Sequence, residues 1–299
     1  MTGDAALFIV GHGSRSAAGV AEFRALTDLV HAQAPHLALG SGFIELAEPH
    51  LDEGLDALVA GGAGHVVAVP LVLLAARHLK DDGPAFLARA RHRHPGVRFS
   101  YASHLGLHPL VLEVAEERIR STRGDDSNGN GHGGPAGTAV LLVGRGSTDP
   151  DANSDLAKAA RLLGEGRSLG GVEPAFVSLA SPSVSEGLER CRRLGARLVV
   201  VIPYFLFTGV LVERIAAQAA AWAGEHPEVD VRTGPHLGAD PRVARLVIDR
   251  FDQAVAGTSV TPCDGCVYRV ALPGHEAEVG RPLALGVHHH AHHNHSSPA

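Results

Sequence analysis

Three side chains in the first half of this 299-residue chain are of the right type to do chemistry. They are His12 in Val10-Gly11-His12-Gly13-Ser14, Glu45 in Phe43-Ile44-Glu45-Leu46, and His78 in Ala76-Arg77-His78-Leu79-Lys80. Two imidazoles and one carboxylate make a borderline-hard donor set suited to a divalent transition metal, with positions left open for another ligand. A neutral imidazole binds such an ion without a fixed charge, and its pKa near working pH lets it accept protons as well. A carboxylate beside it orients or deprotonates the ring and offsets the charge of the cation. Each residue also has a plain structural reading. His12 suits a turn that caps the next helix, Glu45 an edge position, and His78 the loop before a charged helix start.

An internal repeat favours the chemical reading. A shift of 133 residues takes His12 to Arg145, Pro70 to Pro203, and Phe43–Pro49 to Phe176–Pro182. The register slips by one near His94-Pro95, which matches His226-Pro227, and His104-Leu105-Gly106 then matches His236-Leu237-Gly238. Two copies of one fold share apolar positions because both need cores. They differ at His12/Arg145, Glu45/Ser178 and His78/Leu211, so the polarity of those three is dispensable for folding.

Neighbouring residues extend the candidate site. The turn Gly11-His12-Gly13-Ser14-Arg15 leads into a helix N-terminus, where free backbone N–H groups and the dipole favour an anion. Ser14 and Arg15 are thus candidates to hold a carboxylate or phosphate. Ser14 or Ser16 equally suits an ordinary N-cap, and Ser147 recurs at the matching place in the second copy. Glu48, Asp52, Asp81 and Asp82 read as solvated acids at helix entries. Glu45, by contrast, falls in an apolar run, where an unpaired carboxylate is costly.

These residues need a scaffold that brings distant loops to one edge, and the apolar pattern supplies it. Ala6–Val10 reads as a buried strand, followed by a helix with Val20, Phe23, Leu26 and Val30 along one face. Leu37–Leu46, Val66–Val69 and Val97–Tyr101 read as further strands. Asp52–Val59, Gly83–Arg93 and Leu110–Arg120 read as helices. Apolar strands alternating with helices predict an α/β fold with a parallel sheet covered on both faces. Such sheets bind ligands outside the carboxyl ends of their strands. His12 and Glu45 belong there, with His78 one loop further on.

The repeat predicts four parts: an N-terminal repeat carrying the site (1–121), a flexible glycine-rich linker (122–137), a degenerate C-terminal repeat (138–256) and a tail (257–299). Each repeat is long enough for a core of its own. A net charge of −6 and the lack of a basic amphipathic stripe argue against nucleic acid as a partner. Lys80 and Lys158 are the only lysines. Three cysteines do not make a disulfide framework. The longest apolar stretch, Leu198–Val212, is short of the roughly 18–20 residues that span a bilayer, so no membrane partner is expected and a soluble, cytoplasmic protein is. In the tail, Cys263 and Cys266 have chelating spacing, but one pair cannot complete a four-thiolate site. A shared cluster or zinc across a dimer, an idle pair and a redox pair all remain open. His288, His289, His290, His292, His293 and His295 form a compositional sponge for metal.

The turn GHGSR, the segment FIELAEP (43–49) and the segment VPLVLLAARHLKDDGP (69–84) together resemble the CbiX family of class II tetrapyrrole chelatases, in its two-repeat long form. The resemblance runs from about Ala5 to Val255. It implies insertion of Co²⁺ or Fe²⁺ into sirohydrochlorin, with His12 and His78 handling the metal and Glu45 as their acidic helper. Because the second copy lacks all three, it implies one active site, two tandem repeats facing one another across a cleft, and the second half as the far wall. Sirohydrochlorin is a polycarboxylate, so Arg15, Arg77 and Arg145 become candidates to orient it. Segments like Cys263–Arg269 and histidine-rich stretches occur in cobalt-type long members, which favours cobalt. Two other functions compete: a metal or tetrapyrrole carrier without turnover, and a phosphohydrolase with His12 as nucleophile beside Ser14 and Arg15. The carrier leaves His12, Glu45 and His78 unexplained, and the phosphohydrolase lacks a motif fixing its further acid/base groups.

Overall fold

A computed structural model describes residues 5–76, 78–124, 137–167, 169–259, 266, 268 and 271–281. The first half contains β1 (Ala5–Gly11), α1 (Ala17–Gln33), β2 (Leu39–Phe43), α2 (Leu51–Ala60), β3 (His65–Pro70), α3 (Gly83–Arg93), β4 (Arg98–Tyr101) and α4 (Pro109–Arg123). The second contains β5 (Thr138–Gly144), α5 (Pro150–Gly164), β6 (Gly171–Phe176), α6 (Val184–Arg193), β7 (Leu198–Pro203), α7 (Val210–Glu225), β8 (Asp230–Thr233) and α8 (Pro241–Val255). The strands form two parallel four-stranded sheets, ordered β2-β1-β3-β4 and β6-β5-β7-β8. The α/β reading holds, repeat by repeat.

Alternation along β1 builds two layers. Phe8 and Val10 pack with Leu55, Phe86 and Leu87 of α2 and α3 on one face, while Leu7 and Ile9 enter a second cluster on the other. Burial of each such side chain contributes about 2 kcal/mol. That second cluster differs from the expectation of a separate core in each repeat, because it runs through both halves. The closing helices are exchanged: α8 packs on β3 and α1 of the first half, and α4 packs on β7 of the second. Arginines pin the exchange reciprocally. Arg250 of α8 donates to the carbonyl oxygens of His104 and Leu105, both at 2.9 Å. Arg118 of α4 donates to those of His236 and Leu237, at 3.3 and 2.8 Å. An amphipathic helix must bury its apolar face, but its sequence does not say against which sheet.

Local endings also differ from the sequence reading for identifiable reasons. α4 runs on to Arg123, into the stretch expected as linker, because Thr122 donates to the Arg118 carbonyl at 2.7 Å and packs close under Gly234. β2 stops at Phe43, short of Leu46, where the backbone takes a positive φ of 64°. Residues 78–82 form a single π-helical turn ahead of α3. Pro84 has no N–H to donate into a regular helix there, whereas the second half has no proline within α7 and starts that helix at Val210. Among the described residues, no helix is long and apolar enough to cross a membrane.

Candidate active site

The sheet itself brings His12 and Glu45 together. β1 and β2 pair in register up to Gly11 and Phe43, and the ladder continues past both strands. The Ile44 N–H donates to the Gly11 carbonyl at 2.9 Å and the Glu45 N–H to the His12 carbonyl at 3.1 Å. The two side chains therefore leave adjacent positions at the carboxyl edge, with His12 Nε2 3.7 Å from Glu45 Oε1. Glu45 is not the strand residue expected from its apolar neighbours. It lies two positions beyond β2 and is partly exposed, so water shares the cost of its charge. Gly13 makes the approach possible: at φ 98°, a Cβ there would sit 1.7 Å from the Glu45 carbonyl oxygen.

Ser14 is largely structural. Its hydroxyl accepts from the Ser16 N–H at 3.0 Å, and Ser16 caps α1 through Gly19. Ser14 and exposed Arg15 also line an open hollow of about 540 Å³, together with Arg24, Leu46, Glu48 and His50. Arg24 and His50 are anion-binding candidates that the motif reading missed, since Arg24 sits at an ordinary position in α1 and His50 just ahead of α2, outside the quoted motifs. The exposed side chain of Leu46, held at positive φ, forms apolar surface on the same rim.

The backbone of His78 opens the π-helical turn, and its side chain lies outside the described part of the structure. Arg77 lies outside the described residues altogether. Within the same turn, Lys80 reaches the second half, with Nζ 2.8 Å from an oxygen of Asp149 and 2.8 Å from one of Asp151. Burial opposes the charge on Lys80, yet the two carboxylates outweigh it and raise its pKa. Asp149 is the buried N-cap of α5, bonded through its other oxygen to the Asp151 N–H at 3.2 Å.

The second sheet repeats the backbone without the chemistry. The Val177 and Ser178 N–H groups donate to the Gly144 and Arg145 carbonyls, both at 3.0 Å. Gly146 lies under Ser178 as Gly13 lies under Glu45. Arg145 is exposed at the position of His12, and Leu211 sits in the first turn of α7.

Comparison with known proteins decides the family. The CbiX family profile matches twice, over residues 6–122 and 139–254. The chain belongs to the CbiX family. It is 35% identical over 270 residues to the sirohydrochlorin cobaltochelatase of Priestia megaterium, covering 90% of this chain and 86% of that one. To the sirohydrochlorin ferrochelatase of Bacillus subtilis it is 30% identical over 253 residues, covering 85% and 93%. Among solved structures, SirB from Bacillus subtilis with Fe³⁺ superposes at a TM-score of 0.74, with 30% identity and coverage of 85% and 97%. The same chelatase from subspecies spizizenii in complex with cobalt gives 0.70, with 29% identity and coverage of 85% and 96%.

The thiols of this CbiX chain are less informative. Cys191 is buried against the second sheet, which pushes its thiol up to about 12 and makes it inert. Cys266 is buried and free, and Cys263 and the histidines from His288 to His295 lie outside the described residues. Among the described residues, no three His, Cys, Asp or Glu side chains converge on one point. Neither the structure nor the relatives support a cluster or zinc at the cysteine pair.

Proposed function

We propose that this protein is a sirohydrochlorin chelatase that inserts Co²⁺ into the macrocycle, with Fe²⁺ as the alternative metal. The observation that carries the reading is the His12–Glu45 pair at the carboxyl edge of one sheet, 3.7 Å apart, set on a backbone that the other sheet reproduces with Arg145 and Ser178. The names of the relatives supply the substrate, and both metals occur among them.

The incoming metal is a substrate that must lose its water and its protein ligands while two pyrrole N–H protons depart. His12 and His78 hold the ion as neutral donors and are basic enough to take those protons. Glu45 offsets the positive charge and steers the His12 ring. Three donors leave coordination positions open, so the pyrrole nitrogens can enter as the protein ligands leave. Arg15, Arg24 and His50 around the hollow pair with carboxylates of the macrocycle, and Leu46 presents apolar surface to its ring. Arg77 and Arg145 are further candidates for those carboxylates.

The test is an anaerobic absorbance time course of sirohydrochlorin with Co²⁺ or Fe²⁺, with and without protein. Acceleration over the spontaneous rate, lost in His12→Ala/His78→Ala, is the expected result. Stoichiometric binding of either component without acceleration would make the protein a carrier and overturn the reading. The cobalt preference is carried by the cobaltochelatase relative and by the histidine-rich tail, and the ratio of the two metal rates tests it.

A further inference from the structure

The loop after β5 occupies the place that the His12 loop occupies after β1, yet it has no histidine. Its aspartates instead grip the other half. Lys80 Nζ lies 2.8 Å from both Asp149 and Asp151 across the junction, and the ammonium and Asp149 are nearly sealed from water. The loop is itself braced: the Asp149 N–H donates to the Ser147 hydroxyl at 3.0 Å, and the Asn153 amide donates to the Ser147 carbonyl at 2.8 Å. The contact is one-sided. Shifted by one repeat, Lys80 becomes Glu213, while Asp149 and Asp151 correspond to Ser16 and Ala18, so the opposite junction has no such pair. The junction with the ion triad is also the one where the chain departs from a regular helix, in the π-helical turn 78–82. Turns of this kind are marginal on their own and recur at functional sites. A buried charge set of this type confers little net stability but fixes one arrangement strongly.

We propose that Lys80 is a positioning residue for metal handling: the second repeat uses Asp149 and Asp151 to hold the turn that carries His78. The inference rests on the functional reading above, in which His12 and His78 bind the incoming metal. The degenerate repeat then serves as the anchor that sets where the third metal-handling residue stands.

The experiment measures Co²⁺ binding to the full-length protein by calorimetry, alongside turnover, and reads the binding heat that His12→Ala/His78→Ala abolishes, because the histidine-rich tail takes up metal as well. Lys80→Met/Asp149→Asn/Asp151→Asn removes the charges together, so no buried charge is stranded, and Asn keeps the helix cap. Expected are a folded protein, Co²⁺ affinity lower by about tenfold, and a raised KM for metal at unchanged KM for sirohydrochlorin. A role confined to stability would lower the melting temperature and leave the metal constants alone, and that result overturns the proposal. Should the triple variant fail to fold, Asp151→Asn decides: it removes the more exposed carboxylate and keeps the Lys80–Asp149 pair and the Asp149 cap, so weaker Co²⁺ binding is expected, and wild-type binding overturns it. His12→Ala/His78→Ala is the control. Unchanged Co²⁺ binding there sinks the functional reading itself, whereas lost binding there with normal binding in the triad variants sinks only the positioning role.

Discussion

Gly13 lies directly beneath Glu45, so close that a Cβ on Gly13 would stand 1.7 Å from the Glu45 carbonyl oxygen. The second half repeats this contact between Gly146 and Ser178, at 1.8 Å. Both glycines have positive φ, 98° and 85°, which adds conformational strain for any other residue. Gly13→Ala and Gly146→Ala should therefore each destabilise the fold by more than about 1 kcal/mol, measured by urea denaturation. Only Gly13→Ala should also lower turnover by the folded fraction, because only its loop carries a candidate catalytic residue. Equal residual activity per folded molecule in the two variants would contradict the one-site arrangement.

Glu45→Gln tests the charge of the pair separately from its shape. The side chain is partly exposed, so stability should change by less than about 0.5 kcal/mol. Metal insertion should fall by about tenfold or more, as for other groups that orient a metal-binding histidine. The matched change Ser178→Ala should leave both quantities near wild type. A Glu45→Gln enzyme with full rate would remove the carboxylate from the mechanism.

The contrast between these two halves was legible in sequence because it depends on residue types at matched positions. His12 and Glu45 could be found that way, and the helix Gly83–Arg93 by its amphipathic pattern. Glu45 was placed inside a strand because Phe43, Ile44 and Leu46 continue the apolar run, and no pattern reveals that Leu46 turns the backbone to positive φ. The exchange of α4 and α8 was invisible for another reason. Val111, Val114, Ala115 and Ile119 announce a buried face but are equally apolar toward either sheet. The Lys80 anchor has no signature in the sequence, because its partners lie 69 and 71 residues away in the other repeat.

His104 makes the fold acid-sensitive. Burial, with Arg250 and Lys80 adding to it and Asp151 opposing, pushes its pKa from 6.5 down to about 4. Between those values the unfolded chain binds a proton that the folded chain refuses, so stability falls as pH drops through that window. Above pH 6.5 the group has no effect, and below about 4 the loss is complete at roughly 3 kcal/mol. His104→Gln should flatten the stability curve between pH 6.5 and 4 in denaturant titrations. An unchanged slope would place the acid sensitivity elsewhere.

Leu46 is strained and exposed at once, with φ 64° and 46% of its surface open to water. A bulky residue in that region costs about 1 kcal/mol or more, and asparagine tolerates it better. Leu46→Asn should therefore leave stability equal or higher. If the leucine contacts the macrocycle, the same variant should raise the KM for sirohydrochlorin and leave the KM for metal alone. A higher stability with both constants unchanged would show that the strain has no part in substrate binding.

Because α8 covers the β3 face of the first sheet, residues 1–124 alone lack a helix that their own core requires. Their α4 belongs on another sheet, and the reciprocal contacts of Arg118 and Arg250 show that the two exchanges follow one geometry. The isolated fragment should therefore pair with a second copy, each lending its α4 to the other, in a twofold dimer. In that dimer Lys80 would meet Ser16 and Ala18 of the second copy in place of Asp149 and Asp151. A buried ammonium without its carboxylates costs about 3–5 kcal/mol, so the dimer should be weak. Ser16→Asp/Ala18→Asp restores both carboxylates, with aspartate an equally good cap at position 16. Light scattering across a concentration series should show the doubly substituted fragment dimerising at lower concentration, by a factor of ten or more, and binding two Co²⁺ per dimer. A stable monomer of 1–124 would mean that the exchanged helix does not govern how these halves assemble, and a dimer indifferent to the two aspartates would mean that the Lys80 contact does not.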